Sequence, residues 1–135
     1  MKKMILTAEV ARLDEVIDFI NEELEANDVP MRTVMQLDIA VEELFVNIAH
    51  YAYNPDVGEA AICVDVEQEP GCVVISFVDQ GKPYNPLSRK DPDITLDVED
   101  REIGGLGIYV VKKTMDKITY AYEDGQNILT IRKLL

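Results

Sequence analysis

Gly104-Gly105-Leu106-Gly107, opening the amphipathic run 108–115, is the stretch on which the reading of this chain turns. Glycines just before a helix let backbone N–H groups close on an anion with no Cβ in the way. The helix end behind them adds a partial positive charge. A glycine pair at a helix start also serves as a plain turn with tight packing, so the pattern takes its meaning from two other clusters. Asp79-Gln80-Gly81 ends a strand-like run upstream. Further up, Glu43 and Asn47 sit one helical turn apart in a long helix-like segment. Three polar clusters separated by core-forming segments point to one nucleotide site assembled from distant parts.

The segments between the clusters predict an α+β fold, a largely antiparallel sheet with helices covering one face. Residues 2–7 read as a short strand. Residues 8–26 read as a helix with Val10, Leu13, Val16, Ile17, Ile20 and Leu24 on one stripe. Asn27-Asp28-Val29-Pro30 ends it, and a second helix runs over about 31–51 with Val34, Leu37, Val41, Leu44, Phe45 and Ile48 inward. After the turn region 54–58, two alternating strands, about 60–67 and 72–79, form a hairpin. Residues 80–103 carry proline, charge and turn residues with poor apolar periodicity, the mark of a functional lid or an unstructured piece. A helix from Gly107 to about Lys113 follows, then strands over about 116–123 and 127–134 around the turn candidate Asp124-Gly125-Gln126-Asn127. There is no internal repeat and no linker, so residues 1–135 are expected to form a single domain, with its lid at about 82–103.

Composition narrows the classes of partner. The chain has 135 residues and is 47% hydrophobic, enough for one core. Acidic residues outnumber basic ones 26 to 13, for a formal charge of -13. That argues against nucleic acid and anionic membranes, which attract Lys and Arg clusters. An acidic protein that binds a polyphosphate needs local cations, so Mg2+ and a few basic side chains are expected at the site. No run is apolar and long enough for a membrane span. Residues 1–7 do not have the form of a secretory signal and read as the first strand. Cys63 and Cys72 have no metal-ligand spacing; on neighbouring strands, they read as buried reduced thiols of a cytoplasmic protein.

Each candidate for chemistry has a plain alternative. Glu43 and Asn47 share one helix face. Asparagine is mildly unfavourable within a helix, so Asn47 is either a solvated side chain or an Mg2+ ligand through its neutral amide oxygen. Glu43 is either a solvated charge or, near a phosphate, the group that positions or deprotonates an attacking hydroxyl. Asp79 is either a turn former or an acceptor for an adenine amino group, with Gly81 letting the backbone approach the base. His50, the only histidine, reads as structural, and Tyr51 and Tyr53 read as packing groups. Arg89, Lys90 and Arg101 form a mixed-charge loop or close on a γ-phosphate; Lys112 and Lys113 fall on the exposed side of the last helix. No Gly-Lys-Ser/Thr occurs, and the protein-kinase signature set is absent.

Taken in order, the clusters resemble a known family. Glu43-Leu44-Phe45-Val46-Asn47, followed by Ala52-Tyr53, looks like the N box of the GHKL ATPases. Residues 79–86, Asp-Gln-Gly-Lys-Pro-Tyr-Asn-Pro, look like the aspartate–glycine box, and Gly104-Gly105-Leu106-Gly107-Ile108 looks like the second glycine box. Order and spacing agree over nearly the whole chain, most closely with the bacterial anti-sigma factor serine/threonine kinases. The resemblance implies a Bergerat-type two-layer α/β sandwich with an ATP lid. It implies ATP and Mg2+ as cofactors, and a serine or threonine acceptor on a small STAS-type antagonist protein. By the same resemblance Asn47 binds Mg2+, Glu43 is the catalytic base, and Asp79 receives the adenine amino group with Gly81 beside the base. Gly105, Leu106 and Gly107 belong to the phosphate-binding loop, and Gly105 and Gly107 face the phosphates. Sigma-factor binding and a homodimer are implied too. Two departures stand out. The branch often has a histidine where this chain has Tyr51, with His50 one position early, so no role is carried over to it. Arg101 is the basic residue nearest the second glycine box, but Ile103 intervenes, so its γ-phosphate contact rests on proximity alone.

The leading expectation is therefore an ATP-dependent serine/threonine protein kinase acting as an anti-sigma-type regulator. The alternative is a non-catalytic ATP-gated protein-binding module in a partner-switching system, suggested by the acidic, poorly patterned lid. A sensor histidine kinase is disfavoured, because neither a dimerising helix before residue 1 nor a phosphoacceptor histidine motif is seen.

Overall fold

The hydrophobic periodicities of the chain become one five-stranded sheet with helices packed on a single face. The structure, a computed structural model, describes residues 1–69, 71–88 and 106–135. In chain order the elements are β1 (Lys2–Thr7), a 3-10 turn (Val10–Arg12), α1 (Leu13–Ala26), α2 (Met31–Tyr51), β2 (Glu59–Gln68) and β3 (Gly71–Asp79). A second 3-10 turn (Pro86–Ser88), α3 (Leu106–Thr114), β4 (Lys117–Glu123) and β5 (Gln126–Leu134) follow. The sheet order is β1-β2-β3-β5-β4, and every pairing is antiparallel.

Side-chain alternation decides which face the helices cover. Opposite residues in register share a face, and the row Met4, Ile62, Phe77, Leu129, Tyr120 crosses the sheet on the covered side. Ile62, Phe77 and Leu129 are buried there against Val16, Ile20 and Leu24 of α1 and Leu37, Val41, Leu44 and Phe45 of α2. The opposite row begins at Ile5, which is 60% exposed. The next row on the covered side runs Leu6, Ala60, Asp79, Asn127, Tyr122. A carboxylate and an amide are thus set in an otherwise apolar layer, at the end of β3 and the start of β5.

Helix boundaries follow local chemistry. At the end of α1, Asp28 takes φ 54° while Asp28 N–H bonds Glu25 O at 3.1 Å and Val29 N–H bonds Leu24 O at 3.1 Å. This is a Schellman stop, with an aspartate in the left-handed position that glycine usually fills. Between α1 and α2, Asn21 Nδ2 lies 3.5 Å from Asp38 Oδ2, while Asn21 Oδ1 and Asp38 Oδ1 are buried without a partner among the described residues. Burial pushes the Asp38 carboxyl above the usual range, and the Asn21 hydrogen bond opposes it.

Several expectations are corrected. The first helix starts at Leu13, not at residue 8; Val10 sits in the 3-10 turn, 45% exposed, and leaves the core stripe. The β4–β5 turn is only Asp124-Gly125, both at positive φ (53° and 78°) as a two-residue primed turn requires. Gln126 and Asn127 belong to the strand instead. Cys72 is buried but Cys63 is half-exposed; Cys63 pairs with Ser76 and Cys72 with Glu67, so the register holds the thiols apart. Beyond residue 88, the expected lid, with Arg89, Lys90 and Arg101, lies outside the described residues, as do Gly104 and Gly105.

Candidate functional site

The C-terminal half of α2 faces the ends of β3 and β5, and a pocket opens between them. Its apolar walls are Leu44, Ile48, Phe77, Pro86 and Leu129. Its polar groups come from α2 (Asn47), β3 (Asp79), the segment after β3 (Lys82) and β5 (Asn127), with Tyr51, Tyr84 and Tyr120 at its edges. Apolar surfaces with a few convergent polar groups are the common form of a site for a flat organic ligand.

Asp79 ends β3 on the inward row and is 5% exposed. Its Oδ1 accepts Gly81 N–H at 2.9 Å and Asn127 Nδ2 at 2.9 Å. Among the described residues both bonds go to one oxygen, which leaves Oδ2 as the acceptor for a donor entering the pocket. Gly81 is required by close packing. A Cβ there would run into the carbonyl and Cβ of Ala52, against which the chain turns, with Lys82 N–H bonded to Ala52 O at 3.0 Å. Tyr53 fixes the outer side of this turn. Its hydroxyl donates to Glu59 O at 2.6 Å and accepts Gln80 N–H at 2.7 Å. Burial pushes the Tyr53 phenol up, against the pull of the Gln80 N–H, and the charges of Asp79 and Glu59 add to the rise.

Glu43 and Asn47 do share a helix face. Asn47 Nδ2 donates to Glu43 Oε1 at 3.4 Å. A carboxylate can only accept, so the amide turns its nitrogen to Glu43 and keeps its oxygen for another partner. Across from them, α3 brings Gly107 directly onto the Glu43 carboxylate: a Cβ at Gly107 would overlap Glu43 Cδ and both carboxylate oxygens. Glu43 and Gly107 also border a second recess with Ile39, Val46 and Val110. Residues from three distant sequence clusters are therefore adjacent. Asn47 and Asp79 line one pocket, and Glu43, bonded to Asn47, touches Gly107. Leu106 is the first residue of α3; Arg101 and Gly105 fall outside the described residues.

Sequence reasoning missed Asn127, Tyr120 and the bonding role of Tyr53. In the sequence Asn127 falls at the end of the turn candidate 124–127, and Tyr120 lies within the strand expected over about 116–123 with nothing to single it out. Only the antiparallel register sets Asn127 opposite Asp79. His50 is exposed at the end of α2, edge-on to Tyr51, with ring centroids 6.0 Å apart.

The donor set suits an adenine nucleotide. A carboxylate oxygen left over in an apolar pocket takes an amino N–H, and a neutral amide oxygen suits a hard cation that is otherwise held by phosphates and water. Among the described residues no group of three or more His, Cys, Asp or Glu could hold a metal. A cation shared with phosphates does not need one. No helix among those residues is long and apolar enough to cross a membrane.

Comparison with known proteins identifies the family. The profile of the family described as histidine kinase-like ATPase domain matches residues 6–133. Proteins named serine-protein kinase RsbW, from a strain of Bacillus cereus and from Bacillus thuringiensis subsp. konkukian, are each 31% identical over 98 residues, covering 71% of this chain. The match spans only 61% of the length of these relatives. Among solved structures, the histidine kinase domain of the Erythrobacter litoralis EL346 blue-light activated histidine kinase aligns over 93% of this chain and 60% of its own (TM-score 0.54, 13% identity). The Acinetobacter baumannii histidine kinase AdeS aligns over 99% of this chain and 68% of its own (TM-score 0.50, 15% identity). These two likenesses concern the fold. With nearly its whole length matched by the family profile, the chain belongs to the histidine kinase-like ATPase family, the GHKL fold that its three boxes resemble.

Proposed function

We propose that this chain is a serine/threonine protein kinase of the anti-sigma type, using Mg-ATP to phosphorylate a small STAS-type antagonist protein. The single observation that carries it is the convergence of Asn47 and Asp79 on one pocket while Glu43, bonded to Asn47, lies against Gly107. Bound Mg-ATP supplies the phosphoryl group. Asp79 Oδ2 accepts the adenine amino group, with Gly81 beside the base and the apolar walls against its faces. Asn47 offers its amide oxygen to Mg2+. Glu43, one turn earlier, takes the proton from the acceptor hydroxyl. Leu106 and Gly107, at the start of α3, present backbone N–H groups to the phosphates, and the roles of Gly105 at the phosphates and of Arg101 at the γ-phosphate are taken from the family resemblance.

The similarity to proteins named serine-protein kinase RsbW supports the acceptor class; a cytoplasmic homodimer that also binds a sigma factor is the further part of this proposal, taken from the family resemblance. Residues 1–135 act as one domain with a lid beginning near residue 82. The test is calorimetry with Mg-ATP, followed by incubation with a STAS-type protein and labelled ATP. Phosphoserine or phosphothreonine is expected, and Glu43→Ala should abolish it without abolishing nucleotide binding. Nucleotide-sensitive partner capture with no transfer would instead identify an ATP-gated binding module.

A further inference from the structure

Asn127 is 7% exposed and uses its whole hydrogen-bonding capacity inside the site. Its Nδ2 donates to Asp79 Oδ1 at 2.9 Å and to Lys82 O at 2.9 Å, with Gly81 O at 3.4 Å sharing the second proton. Its Oδ1 accepts Tyr84 N–H at 3.1 Å and the Tyr120 hydroxyl. The amide cannot be reversed. Tyr84 N–H is only a donor and Lys82 O only an acceptor, so a flipped amide would set nitrogen against N–H and oxygen against both a carbonyl and a carboxylate. The chain therefore always shows Asp79 an N–H at Oδ1. Gly81 N–H reaches the same oxygen, so Asp79 is held in one rotamer with Oδ2 as its remaining acceptor.

We propose that Asn127 is a positioning residue that makes the pocket select a 6-aminopurine over a 6-oxopurine, by locking Asp79 as an acceptor. This rests on the adenine-nucleotide reading given above and extends it to a residue on the last strand, outside all three sequence boxes. A 6-amino group meets Asp79 Oδ2 as a donor. A 6-oxo group in its place sets oxygen against oxygen and leaves Asp79 Oδ2 without a donor, the situation that sites built on hydrogen bonds reject most strongly. The same amide ties the segment 81–84 to β5, so the floor of the pocket and the acceptor are set by one side chain.

The test compares Mg-ATP with Mg-ITP, which differs only in carrying the 6-oxo group and a proton at N1. Binding is measured by calorimetry for the unaltered chain, Asn127→Ala and Asn127→Asp, with urea unfolding to confirm that each variant folds. The Ala variant deletes the amide without a clash. The Asp variant opposes a second carboxylate to Asp79, and two adjacent carboxylates share a proton. The unaltered chain should prefer ATP by about tenfold or more, the scale set by one unmet hydrogen bond to a charged group. Both variants should bring the two affinities to within about threefold of each other, chiefly by weakening ATP. Tyr120→Phe, which removes one bond to Oδ1 but leaves Tyr84 N–H to orient the amide, should keep the preference. A purely structural Asn127 would weaken both nucleotides alike and leave their ratio intact. A retained preference in a folded Asn127→Ala or Asn127→Asp chain overturns this inference alone. An unaltered chain that binds no ATP overturns it together with the function it rests on.

Discussion

The carboxylate of Glu43 occupies the space that a side chain at Gly107 would fill. The contact joins the middle of α2 to the first turn of α3, two elements separated by the whole β2–β3 hairpin. It gives the glycine at this position a reason that is independent of any ligand. Gly107→Ala is predicted to move the Glu43 carboxylate rather than unfold the protein, because the far end of a flexible side chain can swing away. Phosphoryl transfer should fall by about tenfold or more, the scale of a misplaced catalytic group, while the thermal midpoint changes little. Transfer assays alongside a melting curve check both halves. A large loss of stability with normal transfer in the folded fraction would contradict it.

Gly81→Ala should behave in the opposite way. The obstacle there is the backbone carbonyl of Ala52, which cannot swing aside. The Lys82 N–H to Ala52 O bond and the turn that sets Asp79 would both be strained. A destabilisation of about 1–3 kcal/mol is expected from such overpacking, measured as a shift of the urea midpoint, together with weaker ATP binding.

Asn47→Ala is predicted to weaken ATP binding by about tenfold or more in Mg2+, the scale for losing a group that holds or orients a metal. In EDTA the two chains should bind ATP alike. Equal weakening in both conditions would show that Asn47 packs against the nucleotide and does not serve the cation.

Asp38 predicts a pH dependence that is independent of the nucleotide. Burial raises its pKa in the folded chain, so the folded state holds this proton more tightly than the unfolded one. Its contribution to stability is complete below the unfolded value of about 4 and is lost as pH rises through the higher folded value. Asp38→Asn should therefore stabilise the protein at pH 7, with the advantage shrinking toward about pH 4. The new amide can also donate to the unpartnered Asn21 Oδ1, worth on the order of 1 kcal/mol. Urea unfolding of both chains across that range decides it; a gain that stays constant with pH would assign the effect to packing alone.

Most of the fold could be read along the chain. The apolar stripe of α2, from Val34 to Phe45, and the alternation of Ile62 and Val64 against Ile75 and Phe77 need no tertiary information. Burying an amphipathic face imposes its period on the residues that do it. Errors fell where packing does not set the pattern. Val10 has apolar chemistry but sits in a turn before α1. Cys63 lies on the uncovered half of a strand, so its chemistry said less about its burial than its phase did.

The elements, their order and the three boxes are legible along the chain, because each of these is a local matter of spacing and backbone propensity. Only in the packed fold does Asn127 meet Asp79, Tyr53 hold Gln80, and Glu43 rest on Gly107. Those pairings depend on strand register and on the approach of one helix to another. Such distances are fixed only when the whole core packs, and no local pattern in the chain encodes them.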